Sequence, residues 1–212
     1  MNQDKVTKFY QFTLFGKFEM SSEEHKIKVA SRRAYRDLCR TLLFKEGIKE
    51  NDEKKLEAYN AVVKDVILKQ IHNFEGISNE NDFRSWHKAF CEGIIANFEK
   101  NCIEFYFGQA QKWVNMTMKY LCILSPEKYN YVYKFLHIPL DGIIIKNAHE
   151  KLGLDKPNVP WSRLDEETYY TYQTSLIAKI KAKNKQMVPL DWEFDTWLEG
   201  IEFSVYLKDQ QE

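Results

Sequence analysis

Four cations recur at four-residue steps, Lys28, Arg32, Arg36 and Arg40, with Lys26 and Arg33 beside them. Between residues 25 and 40 only Asp37 opposes these six bases. On a helix, residues at i, i+4 and i+8 share a face, so the cations form a stripe. Aligned cations repel one another unless anions compensate them. Phosphate is a natural compensator for Arg, whose planar fork binds it through two parallel hydrogen bonds. The competing reading is a solvated face whose Arg side chains pair with acids of neighbouring helices, for which Glu46–Glu57 and Glu75–Asp82 supply carboxylates.

A second concentration lies in the most apolar stretch of the chain, where Gln109, Gln111, Lys112, Asn115, Thr117 and Lys119 interrupt a run of large hydrophobic residues. Gln111, Asn115 and Lys119 share one helical face, and Gln109, Lys112 and Asn115 an adjoining one. Buried amides and ammonium groups are costly unless hydrogen-bonded. Their density predicts either a polar network or a wet cavity, against the simpler alternative that this face reaches solvent. A third feature follows in His137-Ile138-Pro139-Leu140-Asp141-Gly142. Pro139 disfavours helix at Ile138, so the chain turns and presents His137 and Asp141 around a break. Asp141 suits the N-terminus of the next helix, where a carboxylate caps backbone N–H groups. It also suits a Lys–Asp pair, with Lys119 or Lys112 as amine nucleophile and Asp141 as activator, an attack that needs a desolvated amine.

That pair, a Lys ahead of a Pro-preceded Asp, resembles the helix-hairpin-helix class of base-excision glycosylases. The resemblance covers about thirty residues and implies an all-helical fold with Lys119 and Asp141 as the reacting pair; His137, presented at the same break, is a further candidate for the site. The apolar-Pro-Gly-apolar-Gly hairpin that grips DNA in that class is missing before Asp141, and Ser125-Pro126-Glu127-Lys128-Tyr129 does not replace it.

Trp161, Tyr169, Tyr170 and Tyr172 cluster beside the loop Lys156-Pro157-Asn158-Val159-Pro160, with Trp192 and Trp197 further on. Aromatics beside cations stack on bases; Tyr and Trp equally anchor protein interfaces, or simply line a core edge. His87 and Cys91 stand i, i+4, but no second pair completes a four-ligand metal site, so no metal is expected. The phosphate-loop, dinucleotide-binding, zincin and nucleophile-elbow patterns are all missing, and no cofactor is expected.

The candidate partners are therefore nucleic acid or a nucleotide, or a protein docking on the Trp–Tyr surface. A membrane is not among them. The 212 residues carry 31 bases against 31 acids, so no global field draws polyanions and any attraction must be local. A mean hydropathy of −0.54 and the lack of an 18-residue apolar run exclude a spanning helix. Aromatic content of 15% supplies apolar area and argues against disorder. Without a signal-peptide pattern, and with Cys39, Cys91, Cys102 and Cys122 dispersed, the expectation is a cytoplasmic protein with buried free thiols.

Period-two spacing of Val6, Tyr10, Phe12, Leu14 and Phe18 predicts a strand or extended arm over residues 6–18. Ser21 with Glu24 makes a capping box, and the helix it opens is expected to run to about Phe44. Further helices are predicted from Asn51-Asp52 to Gly76, from Asn81-Asp82 to about Asn101, over 105–124, over 127–136, over 140–152 ending at Gly153, from Ser162 or Asp165 to Lys183, and around Trp192–Glu199. The alternation after Gly200 fits a strand pairing with the N-terminal arm, or a fraying helix. The expected architecture is one compact, mainly α domain over residues 1–212, with residues 155–161 the only candidate boundary.

Overall fold

The computed structural model describes residues 3–16 and 22–209, and its architecture is mainly α. The elements are α1 (Gln3–Phe15), α2 (Glu23–Arg36), a 3-10 turn (Cys39–Thr41), β1 (Leu43–Phe44) and α3 (Asp52–Val62). The latter continues through a π turn (Val63–Ile67) into α4 (Leu68–His72). Then come α5 (Glu80–Lys100), β2 (Ile103–Glu104), α6 (Phe107–Leu124), α7 (Pro126–Tyr129), a 3-10 stretch (Asn130–Phe135), α8 (Gly142–Leu152), a 3-10 turn (Trp161–Arg163), α9 (Glu166–Lys183) and α10 (Pro189–Asp209). No described helix is long and apolar enough to cross a membrane.

Local chemistry sets most of the helix ends. Asn51, Asn79, Asp141 and Asp165 each accept from backbone N–H groups of the first turn, which would otherwise lack partners. Gly153 closes α8 in the left-handed region at φ 63°, a conformation glycine adopts without steric cost. The residue capping α2 is Ser22, which accepts from the His25 N–H at 3.1 Å; Ser21 lies outside the described residues.

Three elements depart from the sequence expectation. Residues 6–16 do not form a strand, residues 17 and 18 lying outside the described ones: the chain is helical to Phe15, with the Thr13 hydroxyl donating to Phe9 O and Gly16 N donating to Phe12 O. A helix satisfies its own backbone, whereas an extended arm needs a partner strand. Helix α2 stops at Arg36 rather than near Phe44, because Leu38 turns fully inward and Leu43–Phe44 pair antiparallel with Glu104 and Ile103. That two-stranded pair is the sheet seen among the described residues, so the expected pairing of the two termini is not formed. The alternation after Gly200 also yields no strand, since the α10 backbone stays helical to Asp209.

Helix α6 is the axis of the body. Every residue of it is buried except Ile123. Helix α2 lies on it with Ile27 buried and with Ala30, Ser31 and Ala34 small enough for close approach, and the Trp113 indole N–H donates to Ser31 O and Oγ at 3.0 Å. Helix α5 buries Phe83, Trp86, His87, Phe90, Cys91, Ile94 and Phe98, the stripe its three- and four-residue spacing requires. The start of α6 meets the turn at 161–163: Gly108 N donates to Leu164 O at 2.9 Å, and a Cβ on Gly108 would lie 1.9 Å from Trp161 O. Gly108→Ala is therefore expected to push this turn outward and lower stability by about 1–3 kcal/mol or more, read from thermal unfolding. A melting temperature equal to the parent's would show that the turn yields freely.

Candidate functional site

The basic helix and the central helix meet at one cleft. It has a volume of about 630 Å³ and runs between α2, α6, α8 and α10, with Leu14 of α1 and Trp161 on its edges. Since α2 buries its Ala30–Ser31–Ala34 face on α6, Arg33 and Arg36 fall beside that face and line the cleft. Arg40 lines it too, although from the turn after α2 rather than from the helix. Lys28 and Arg32 do not, and the stripe expected from the sequence splits at this point. Lys28 pairs with Glu24 of its own helix, and Arg32 is exposed on the side of Tyr59.

The floor is built from two ion pairs. Lys112 Nζ donates to Asp141 Oδ2 at 2.7 Å, while Asp141 Oδ1 caps α8 by accepting from Ile144 N at 2.9 Å. Lys119 Nζ donates to Glu193 Oε2 of α10 and stands 3.7 Å from the centre of the Phe194 ring. Both lysines are only 5% exposed and Glu193 2%. The expected Lys119–Asp141 pair is thus not formed: both side chains line the same cleft, but each holds another partner. Burial pulls the Lys119 ammonium below the usual lysine range; Glu193 opposes that shift and Lys112 adds to it.

The mouth differs from the floor. Arg33 pairs with Asp37 at 2.6 Å, and Asp37 also accepts from the Tyr120 hydroxyl at 3.2 Å. Among the described residues, Arg36 and Arg40 make no ion pair, and both are exposed. The cleft therefore has five cations against three carboxylates, with its two unbalanced charges at the entrance. Tyr120, Met116, Phe194 and Trp161 form apolar wall, and exposed Leu14, Ile123, Ile143 and Trp197 form a rim.

The remaining polar residues of α6 belong to a buried hydrogen-bonded network behind the cleft. Gln111 donates to Gly108 O and Leu140 O and accepts from Asn115 and Leu140 N. Asn115 also donates to the Tyr169 hydroxyl at 3.0 Å, and His137 Nδ1 shares that hydroxyl at 3.0 Å. His87 Nδ1 bonds Tyr170 in the same layer. Gln109 binds Tyr106 N with one end and Thr41 with the other, pinning α6 to the turn after α2. Gln109, Asn115 and His137 are thus packing groups, not lining of the cleft. His137 faces inward because the break before Pro139 turns its ring onto Phe83, 4.9 Å away, instead of outward beside Asp141. Burial, with Arg84 adding to it, drives the His137 pKa from 6.5 to about 3, and burial holds His87 well below the usual histidine range.

The aromatic surface also changes. Tyr169, Tyr170 and Tyr172 are buried, so only Trp161 and Trp197 of the expected docking cluster reach the cleft. Cys91 and Cys122 are buried free thiols, but Cys39 and Cys102 are half-buried. Cys91 lies 3.8 Å from His87 Nε2 in the core, and no group of three metal-ligating side chains occurs among the described residues. Glu193 is the member that sequence reasoning missed. Its local signal was weak: it sits between Trp192 and Phe194, but Asp191, Asp195 and Glu199 stand in the same segment and nothing along the chain sets it apart from them. Comparison with family models, curated proteins and solved structures returned no match.

Proposed function

We propose that the cleft binds a nucleotide, free or as an unstacked unit of a nucleic acid strand. The observation that carries this reading is the convergence of Arg36 and Arg40, both without a carboxylate partner, on a cavity walled by Trp161, Tyr120 and Phe194. Unpaired guanidinium groups suit phosphate, and aromatic walls suit a base. The volume of about 630 Å³ sits within the ~300–1,000 Å³ of small-molecule sites. With no net charge on the chain, this local excess does the attracting, which favours a mononucleotide-sized ligand over a duplex. If the bound ligand exposes an electrophilic carbon, the amine to attack it is Lys119, whose burial eases loss of its proton.

Titration calorimetry with 5′-mononucleotides and with a short single-stranded oligonucleotide tests the reading. Arg36→Ala/Arg40→Ala is expected to weaken binding by about tenfold or more while leaving the fold intact, because charge-assisted hydrogen bonds are lost from exposed side chains. Raising salt should weaken the parent steeply. Cyanoborohydride added to an abasic oligonucleotide arm reads the Lys119 chemistry as a covalent adduct, lost in Lys119→Met. Absence of binding by both ligand forms at millimolar concentration overturns the proposal.

The exposed apolar rim of Leu14, Ile123, Ile143 and Trp197 favours a second reading, a non-catalytic module docking a protein partner. Such a partner would bind with little salt dependence.

A further inference from the structure

We infer that two copies of this chain pair through an exposed apolar strip that runs from α1 onto the rim of the cleft. This goes beyond the nucleotide reading and names a partner for the apolar rim.

Helix α1 supplies the first half of the strip. A helix of 13 residues is marginal by itself in water, and most of its stability must come from packing an apolar face. Phe15 does pack, its ring edge-on to Tyr120 at 5.5 Å. Phe9 and Tyr10, by contrast, are 66% and 61% exposed. Their rings lie 6.2 Å apart, and Tyr10 shares a helical face with Leu14 four residues on. Leu14 in turn lines the cleft, where Ile123, Ile143 and Trp197 stand exposed around the same opening. The six side chains therefore form one connected strip, and none of them carries a charge.

Size makes the strip a contact surface. A large apolar side chain has roughly 150–250 Å² to bury, and these six are between 38% and 66% exposed. Together they show on the order of 600 Å² to solvent. That matches the upper end of the ~300–600 Å² found for the largest patch of a typical monomer. It also comes close to the ~800 Å² that each partner gives to a standard interface, with polar neighbours supplying the remainder.

Charge selects the occupant. In a two-fold pair each copy offers the same patch to the other, so an uncharged strip is its own complement. Equal numbers of acids and bases, 31 of each, leave no net repulsion between copies. Arg36 and Arg40 border the strip at the cleft mouth, in the position of a polar rim. An anionic lipid surface is the poorer match. Helix α1 carries Lys5 and Lys8 against Asp4, a single net positive charge, whereas helices that lie on such membranes have a strongly basic polar face.

Sedimentation equilibrium on the unaltered full chain tests the pairing. Half-conversion to a species of twice the 25.3 kDa monomer is expected at or below about 10 μM, at low and high salt alike, because apolar contacts are little screened. Phe9→Glu/Tyr10→Glu sets like charges against each other across the two-fold and should raise the dissociation constant about a hundredfold or more. Both positions are exposed and Glu favours helix, so the fold is kept. Leu56→Glu, at an exposed apolar position of α3 outside the strip, should associate as the parent does. A parent that stays monomeric to about 100 μM overturns the inference. So does a dimer that Phe9→Glu/Tyr10→Glu leaves intact, or a monomeric parent that floats with phosphatidylserine vesicles. None of these results touches nucleotide binding, which has its own calorimetric test.

Discussion

Removing the Glu193 side chain should destabilise the protein by about 3–5 kcal/mol, the cost of leaving an ammonium buried without its counter-charge. Lys119 and Glu193 have side chains 6% and 3% exposed, so solvent screens the pair little. The same figure is expected for Lys119→Ala, measured by urea unfolding. The two changes together should cost far less than their sum, and Lys119→Met/Glu193→Leu should lie near the parent, because replacing both partners with apolar groups removes the desolvation penalty along with the attraction. If each single variant lost under 1 kcal/mol, solvent would have to screen the pair more than its 6% and 3% exposure implies.

Acid should begin to destabilise the chain before its carboxylates titrate. In the folded state burial keeps His137 neutral down to about pH 3, whereas in the unfolded chain it takes a proton near 6.5. The unfolded state therefore binds the extra proton across that window. Stability is complete above about pH 6.5 and falls as the pH is lowered, reaching a total loss of about 5 kcal/mol near pH 3 at ~1.4 kcal/mol per pH unit. At pH 5 the loss from this one ring is about 2 kcal/mol. His87, held neutral by burial and by His137 beside it, acts in the same direction. Urea midpoints at pH 7.5 and pH 5 measure the effect. His137→Gln should be weaker at pH 7.5, having lost the bond to Tyr169, yet show a flatter dependence on pH. Identical midpoints for the parent at both values would contradict the burial of this ring.

The parts of the fold that could be read from the sequence are those fixed by neighbours along the chain. Asn51, Asp165 and Gly153 announce helix ends because caps act over three or four residues, and the apolar run ending at Ser125-Pro126 announces the central helix. The misread parts answer to distant contacts. Nothing local tells α2 to stop at Arg36; Leu38 entering the core and Gln109 gripping Thr41 from 68 residues away do that. The same holds for the site. Lys112, Lys119, Asp141, Arg33, Arg36, Arg40 and Trp161 were all singled out by type and spacing, and all line the cleft. Of their pairings, Lys112 with Asp141 was one of the two Lys–Asp alternatives the sequence offered, whereas Lys119 with Glu193 was not legible, because Glu193 reaches Lys119 across 74 residues. His137 and Asn115 share the same composition signal as the cleft residues, yet both bond the Tyr169 hydroxyl in a buried layer behind it.

The contact at Gly108 limits how Trp161 can respond to an occupant. Main chain crosses main chain there with no space for even a methyl group, and the crossing is latched by the bond from Gly108 N to Leu164 O. The indole must therefore adjust by turning about its own side-chain bonds while its backbone stays put. Its fluorescence would then report filling of the cavity on the nanosecond scale of rotamer exchange, with amide-hydrogen exchange through residues 161–164 unaltered.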